Sequence, residues 1–525
     1  MQYGRAGPRA ALPYAGRMPK ETARKTVDSQ PREIELKLAV SAHELPALRR
    51  RLARFGSGEE VEVDNVYFDT ADGLLRGSRM ALRVRRIGRR WVQTLKTEAK
   101  ASALSSRGEW EVPAPRGRLD LGRFPETPLT ALLQAHPGAR LQPAFRTRFR
   151  RTIWNTDDGA IEIALDEGEI VAGKQQAPIL ELELELKSGT AEALYRLALA
   201  LADKGGAVLA LRPAVDSKAV RGYRLAAGES PKPLKANASA VAVSLRRGTV
   251  LGAALRGVVE RGTTLLLANA AGSLAVADSE FVHQARVATR RMRSAVRLLG
   301  KPAGWPAALD SELRWIARRL GAVRDWDVLQ AQTLPALTTA LPAAAQPLAQ
   351  QVARVRRRDD EALHVALAGA RYARLALRLL QWANTATQDG PTLASAARKR
   401  LARLHRRLFD SASFFVVLPV EQQHRVRIRA KRLRYALDLF AAALPTGPTA
   451  RYVEKLAHLQ DELGALNDAV VASELTPRLA RAAAIDAAPA HDWLEQQRQQ
   501  RALRAEAALA ELARMRLPWD RGAIT

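Results

Sequence analysis

At 525 residues, with 83 Lys and Arg against 54 Asp and Glu, the chain has a formal net charge of +29. That length gives room for at least two domains with separate cores, and that charge calls for polyanionic partners: nucleic acid, polyphosphate or an acidic membrane surface. The lack of cysteine excludes disulfides and thiolate metal sites, and no uninterrupted apolar run approaches the ~18 residues of a membrane span.

Residues 1–30 are rich in Arg, Pro, Gly and Ala and hold no hydrophobic signal core, so they read as a disordered basic tail on a cytoplasmic protein. From 31 to 225 the pattern is mostly that of strands. A strand at Glu33–Leu38 is followed by Ser41-Ala-His-Glu44, a capping box that opens a helix to about Phe55. Further strands are expected at Val61–Phe68, Ala81–Arg86, Trp91–Lys96, Glu109–Val112, Ala144–Trp154, Ile161–Asp166, Glu169–Ala172 and Leu180–Lys187. A helix over 190–204 ends at a Gly-Gly stop.

Charge in these strands keeps to one parity. Glu33, Glu35 and Lys37 alternate with Ile34 and Leu36, and Glu181, Glu183, Glu185 and Lys187 alternate with leucines. Arg83 with Arg85, Arg146 with Arg148 and Arg150, Arg107 with Glu109 and Glu111, and Glu162 with Asp166 repeat the theme. Successive side chains of a strand point to opposite faces, so each strand has one charged face. Carboxylates in a row repel and need a countercharge, which a hard divalent cation held by oxygen ligands supplies. About eight such antiparallel strands can close into a barrel, with the charges either outside an apolar core or inside a polar tunnel. Mixed signs suit phosphate beside metal, since guanidinium forks grip phosphate oxygens in pairs while carboxylates hold the cation.

Taken in order, Glu33-x-Glu-x-Lys37, Val66-Tyr-Phe-Asp-Thr70, Leu82-Arg-Val-Arg-Arg86, Thr94-Leu-Lys96, Arg107-Gly-Glu-Trp-Glu111, Glu181–Lys187 and Ser217-Lys-Ala-Val-Arg-Gly-Tyr-Arg224 resemble the CYTH domain of the triphosphate tunnel metalloenzymes. The match covers almost all of 31–225 and departs at Ala219, where that family usually has an aromatic. The resemblance implies an eight-stranded tunnel open at both ends, dependence on Mg2+ or Mn2+, and hydrolysis or cyclisation of a triphosphate. On that basis Glu33, Glu35, Glu181, Glu183 and Glu185 are expected to hold metal, with Asp166 a further candidate. Lys37, Arg83, Arg85, Lys96, Arg107, Arg146, Arg148, Lys187 and Lys218 are expected to bind phosphate, with Glu109 and Glu111 also counted in the substrate-binding set and as further candidates for the metal shell. Glu33, Glu35, Lys37 and Lys96 are the expected catalytic groups.

Residues 226–247 are rich in Pro, Ala and Ser without period and read as a linker. From about Thr249 the texture turns to Ala, Leu and Arg at helical spacing. It contains an internal repeat. His283, Arg286, Arg290 and Arg293 return as His424, Arg427, Lys431 and Arg434, and Leu320-Gly-Ala-Val-Arg-Asp325 returns as Leu463-Gly-Ala-Leu-Asn-Asp468. The four basic positions of each copy fall within about an 80° arc of one helix face. From His283 to Lys301, and from His424 to Tyr435, no acid intervenes. Like charges at such spacing destabilise a helix, so an anion from outside is the expected compensation. The paired patterns are similar to the CHAD domain, a conserved-histidine α-helical module, over 248–515. That resemblance implies a pair of four-helix bundles whose basic groove binds inorganic polyphosphate through those eight residues, and an association with polyphosphate granules.

The expected architecture is therefore α+β in two domains, an antiparallel β tunnel followed by an all-α half. The leading function is metal-dependent release of terminal phosphate from inorganic triphosphate, with polyphosphate bound by the helices. No Gly-rich phosphate loop of the Walker type is present, and no aromatic platform for adenine, which favours bare triphosphate over ATP. Two alternatives stay open: an enzyme for an organic triphosphate (a thiamine triphosphatase or adenylate cyclase), and a polyphosphate-binding scaffold with vestigial catalysis. The basic helices carry no helix-turn-helix or RNA-binding signature, which argues against nucleic acid.

Overall fold

The computed structural model describes residues 33–97, 104–203, 208–237, 245–301, 303–340, 342–385, 390–483, 486 and 488–520. The tail expected at 1–30 and the Gly-Gly stop at 205–206 lie outside them.

Ten strands make one antiparallel sheet: β1 (Glu33–Ala39), β2 (Glu59–Asp69), β3 (Met80–Ile87), β4 (Arg90–Thr97), β5 (Leu104–Arg107), β6 (Glu109–Pro113), β7 (Gln142–Asn155), β8 (Ile161–Ala172), β9 (Gln175–Leu186) and β10 (Arg212–Pro213). Their order is β10-β1-β9-β8-β7-β2-β3-β4-β6, and β5 returns to pair with β1. Only Gly108 separates β5 from β6, so the two act as one run that pairs with β1 on one side and β4 on the other. The ring thus closes with eight staves, and the two-residue β10 adds to the far end of β1.

Closure decides which way the alternating faces point. Leu36, Leu38, Leu182 and Leu184 are fully buried on the outside of the ring, in one cluster with Leu48 and Leu52 of α1 (Leu45–Leu52) and Leu194, Ala198 and Leu201 of α4 (Ala191–Asp203). On the far side, Leu82 and Leu95 pack with Leu75 of α2 (Leu74–Gly77) and Leu129 of α3 (Pro128–Ala135). The charged parity of β1 and β9 is left facing the lumen. The two strands expected at Ile161–Asp166 and Glu169–Ala172 are one continuous strand. Gly168 between them is no break: a Cβ there would stand 2.1 Å from the Arg148 carbonyl oxygen, so the close approach of β7 requires glycine.

Helix α5 (Lys218–Ala226) starts at Ser217, whose hydroxyl accepts the Val220 N–H at 3.2 Å. It lies across one end of the ring. Tyr67 and Phe145 stack at 4.4 Å, Tyr223 meets Phe145 edge-on at 4.9 Å, and the Tyr223 hydroxyl donates to the Phe68 carbonyl at 3.1 Å. Gly222 is needed here because a Cβ would fall 2.0 Å from the Phe145 ring. The lumen is therefore stoppered at this end and not open at both.

The second half is helical: α6 (Leu251–Ala275), α7 (Ser279–Leu299), α8 (Ala307–Val328), α9 (Leu334–Ala340), α10 (Pro342–Ala368), α11 (Ala370–Ala383), α12 (Leu393–Phe409), α13 (Val420–Phe440), α14 (Thr446–Ala483) and α15 (Ala488–Ala513). Helices α6, α7, α8 and α10 form one four-helix group, α12 to α15 the other, and α7 packs on α13 between them. Among the described residues no helix is long and apolar enough to cross a membrane. The described part of the expected linker is fastened down. The Leu234 N–H donates to Asn269 Oδ1 at 3.0 Å, Asn269 Nδ2 donates back to the Leu234 carbonyl at 2.9 Å, and the Ala236 N–H donates to Gln284 Oε1 at 2.7 Å. Residues 238–244 lie outside the described residues. Helix α11 lies against α4 and β10, where Arg374 Nε donates to Asp203 Oδ1 at 3.0 Å. One apolar core runs from the outer leucines of the ring into the helices.

Truncating the outer face should therefore act on stability. Leu184→Ala removes a fully buried side chain and should cost about 2–5 kcal/mol in denaturant unfolding of the chain. A loss below ~0.5 kcal/mol, the scale of surface substitutions, would show that the leucines are not the face that is packed.

Candidate active site and anion-binding groove

Cross-strand register sorts the lumen into tiers. In the first, Arg151, Asp166 and Glu181 are direct neighbours across β7, β8 and β9. In the second, Ala164, Glu183 and Lys37 are neighbours across β8, β9 and β1. The third aligns three carboxylates, Glu162, Glu185 and Glu35.

Cations interlock with these acids. Lys218, the first residue of α5, places Nζ 2.6 Å from Asp166 Oδ2 and 3.0 Å from Glu183 Oε1, and also pairs with Glu181. Arg151 gives a two-pronged contact to Asp166, Nε and Nη2 each at 2.7 Å, and Nη2 donates to Glu183 as well. Lys37 pairs with Glu35 and stands 3.4 Å from Glu183. At the third tier Lys187 reaches Glu185 at 2.8 Å and Glu162 at 3.2 Å.

Across the lumen, Lys96 lies 2.9 Å from Glu109, Arg85 Nε donates to Asn65 Oδ1 at 2.7 Å, and Arg83 Nη1 donates to the Tyr67 hydroxyl at 3.3 Å. Thr94 donates to Glu111 at 3.3 Å. Between the walls is a cavity of about 220 Å3, with Glu35, Glu183, Glu185 and Lys218 on one side and Arg83, Arg85 and Lys96 on the other.

Crowding sets the charge states. Burial would raise the Glu183 carboxyl, but Lys218, Lys37 and Arg151 together hold it well below the usual carboxylate range. Burial would lower Lys218, and Asp166, Glu181 and Glu183 outweigh it and push its ammonium up. Arg85 has less compensation: burial and then Arg83 bring its guanidinium down to about 10. An anion between Arg83 and Arg85 relieves that repulsion.

The divalent ion implied by a CYTH tunnel finds fitting donors. Carboxylate oxygens of Asp166, Glu181 and Glu183 lie within 4.8 Å of one another, and oxygen donors alone suit Mg2+ or Mn2+. Asp166 thus joins Glu181 and Glu183 more closely than Glu35 or Glu185 does. Of the other expected residues, Lys37, Arg83, Arg85, Lys96, Glu109 and Lys218 line the cavity, and Lys187 sits beyond its third tier. Glu33 and Arg107 are register partners on β1 and β5, and their side chains lie outside the described residues.

Arg146 and Arg148 are corrections. In β7 the inward parity is Phe145, Thr147, Phe149 and Arg151, so Arg146 and Arg148 face out; Arg146 is paired with Asp64 on β2, and Arg148 is exposed. The dipeptide Arg150-Arg151 breaks the alternation that suggested otherwise, and only its second member enters the lumen. Glu162, seen in the sequence only as part of a charged face, and Tyr67, seen only within a motif, also line the cavity, and Arg151 completes it without having been singled out. That doubled arginine was the available signal for Arg151.

In the helical half, α7 and α13 bring the two basic stripes together. Arg290 and Arg291 stand over the Tyr435 ring at 5.5 and 5.2 Å. Asp438 accepts from Arg291 at 2.9 Å and from Arg434 at 3.2 Å, so Arg434 is partly committed within the protein. The motif acids enter from α8 and α14. Arg286 is 3.9 Å from Asp325, and its Nη1 would stand 3.0 Å from a Cβ on Gly321. The His424 ring is 2.9 Å from Asn467 Oδ1, while burial and then Arg324 lower His283. Among the described residues, the Nε atoms of Arg290, Arg293 and Arg427 are buried without a hydrogen-bond partner. Burial, reinforced by Arg427, Arg290 and Arg286, brings the Lys431 ammonium down to about 6. The groove holds more cations than its own acids satisfy.

Comparison with known proteins agrees with this division. The CYTH domain profile matches residues 31–206 and the CHAD domain profile matches 257–477. The chain belongs to the proteins that join a CYTH domain to a CHAD domain. An inorganic triphosphatase of Haemophilus influenzae is 37% identical over 174 residues, 31% of this chain and 47% of that protein, so the chain spans about half the length of the curated relative it matches. Among solved structures, the CHAD domain of the plant Ricinus communis is 32% identical, over 55% of this chain and 98% of that one, with a TM-score of 0.49. A putative adenylyl cyclase from Hippeastrum, described as having a dominant triphosphatase activity, is 21% identical over 38% of this chain and 96% of that one, with a TM-score of 0.29.

The Lys431 environment predicts a pH dependence. Its folded value of about 6 lies below the ordinary 10.5, so between those values the unfolded chain binds the extra proton and stability rises with pH. Lys431→Met removes this penalty. Its melting temperature should exceed that of the wild type most near pH 6, with the gap closing as pH approaches 10. A gap independent of pH would show that the ammonium is not destabilised in the folded groove.

Proposed function

We propose that the CYTH tunnel hydrolyses inorganic triphosphate to pyrophosphate and phosphate, and that the CHAD groove holds polyphosphate. The observation that carries the first reading is the 220 Å3 cavity with cations facing carboxylates across it. It is smaller than the ~300–1,000 Å3 of pockets that take organic ligands, which favours a bare triphosphate over an ester. The name of the Haemophilus influenzae relative points the same way.

Phosphoryl transfer asks a protein mainly for positioning and electrostatics. Arg83, Arg85 and Lys96 would grip the phosphate chain from one wall, with Lys37 and Lys218 opposite. As water forms its bond to the terminal phosphorus and the bridging P–O bond breaks, negative charge moves onto the departing pyrophosphate, where the two guanidiniums offset it. The row Glu35, Glu185 and Glu162 is placed to take the proton of the attacking water. Asp166, Glu181 and Glu183 would hold the divalent ion, which when bound adds positive charge beside the phosphate oxygens. The carboxylate set argues against vestigial catalysis, because a pure anion binder gains nothing from acids in its site. The second reading rests on the unpartnered guanidinium nitrogens of the groove. Together they suit a cytoplasmic protein that works beside polyphosphate granules.

Phosphate release by the full chain with Mg2+ or Mn2+, from triphosphate, ATP and long-chain polyphosphate side by side, tests the first reading. Triphosphate should be preferred, and Glu183→Gln and Arg85→Ala should each lower kcat/KM by about 100-fold or more, the scale of one lost electrostatic contact to the transition state. Full turnover in Glu183→Gln, or a preference for ATP, would overturn it.

For the groove, Arg427→Met combined with Lys431→Met should abolish polyphosphate binding in a filter assay without lowering the melting temperature, since for both cations the cost of burial outweighs the attraction of Asp468 in the free protein. Retained binding would remove the groove from consideration.

A further inference from the structure

Beside the groove, α13 and α14 of the second repeat enclose a pocket of about 310 Å3. Its wall is apolar on one side, formed by Leu463, Leu466, Val470 and Val471, while His424, Asn467 and Arg427 lie at the side of the basic stripe and two acids, Glu421 and Glu474, also line it.

The two repeats differ at this place. The counterpart of Val470 in the first repeat is Asp327, buried and bonded to Arg356 Nε at 2.7 Å, so an ion pair stands where the second repeat presents an apolar wall. The counterpart of Gln423 is Val282, which packs as ordinary core. Gln423 is only 3% exposed. Its Nε2 donates to the Phe415 and Val416 carbonyls at 3.1 and 3.3 Å, which fixes the amide orientation. Its Oε1 is then left buried with no hydrogen-bond partner among the described residues, as is the Nε of Arg427. An unmade buried acceptor is costly, and the first repeat shows that a valine serves the packing at this position. The amide oxygen of this pocket-lining residue is therefore open to a donor that enters the pocket.

We propose that this pocket binds the organic part of a nucleotide. The apolar wall takes the flat base, Gln423 Oε1 accepts from a ring N–H or amino group, and the phosphates lie on Arg427 and the cations beyond it. The proposal rests on the reading of that stripe as a phosphate site. Bare polyphosphate has neither the N–H donor nor the apolar surface, and a lipid tail lacks the donor.

Calorimetric titration of the full chain compares ADP with pyrophosphate, which carries two phosphates and no nucleoside. ADP should bind at least about tenfold tighter. Val470→Trp, which fills the pocket, should erase that preference while leaving pyrophosphate and polyphosphate affinity unchanged. Gln423→Leu should weaken ADP by about threefold to tenfold, the value of one hydrogen bond, and melting curves establish that both variants fold. The tunnel is the same in wild type and variants, so its binding cancels when the ADP-to-pyrophosphate affinity ratio of Val470→Trp is divided by that of the wild type. A ratio that Val470→Trp leaves unchanged would overturn the pocket. Polyphosphate binding that survives Arg427→Met would overturn the stripe reading instead, because the pocket is judged on the difference between ADP and pyrophosphate.

Discussion

A leucine-backed strand leaves its charged side chains one place to go. Leu36, Leu38, Leu182 and Leu184 are withdrawn from water beneath α1 and α4, and alternation then commits Glu35, Lys37, Glu181, Glu183 and Glu185 to the lumen. Shifting β1 or β9 by one residue would bury carboxylates against leucine and turn leucine into a charged channel. Register, closure and active-site chemistry are in this sense one constraint. The apolar face supplies the free energy that holds these four carboxylates at close quarters, which the lumen alone would not tolerate.

The two halves meet crowded charge in opposite ways. In the tunnel each acid lies within reach of a cation. Lys218 alone serves Asp166, Glu181 and Glu183, and the network is preorganised before any substrate arrives. In the groove, cations from α7 and α13 face one another with few acids between them. Among the described residues Arg290, Arg293 and Arg427 keep buried nitrogens unbonded, and burial with the neighbouring guanidiniums brings the Lys431 ammonium down to about 6. A preorganised mixed-sign lattice suits bond breaking, where charge must move without reorganisation. A surplus of one sign suits retention of a polyanion.

Most of the tunnel was legible because a period of two is a strong signal over five or more residues. Lys37, Arg83, Arg85, Lys96 and Lys218 fall where parity and motif put them. The failures have physical causes. Arg146 and Arg148 alternate as well as any inner pair, but alternation fixes only that two faces differ, and the partner strand decides which one is inside. Pairing with β2 sets Arg146 against Asp64 on the outer surface. Gly168 resembled a strand break because a sequence does not display how closely a neighbouring strand will pass. The stopper helix was seen as a motif, Ser217-Lys218, and its function as a plug depends on Phe145 and Tyr67, which are distant in sequence and meet it only in the closed ring.

Helix α5 is also where the halves share structure. Its first residue, Lys218, stands in the tunnel, and one turn later Arg221 holds the second oxygen of Glu181 at 3.0 Å from the opposite side. Arg221 and Arg224 in turn line a cavity of about 360 Å3 between the tunnel and the helical half, which Leu267, Ala271 and Tyr372 close from the other side. Glu181 is thus gripped from the lumen by one residue of α5 and from the interdomain cavity by another. A Cβ at Gly222 would stand 2.0 Å from the Phe145 ring, so the middle of α5 is seated directly on the stopper. The position of Glu181 is therefore set by two residues of one helical turn, Lys218 from the lumen and Arg221 from the cavity behind it.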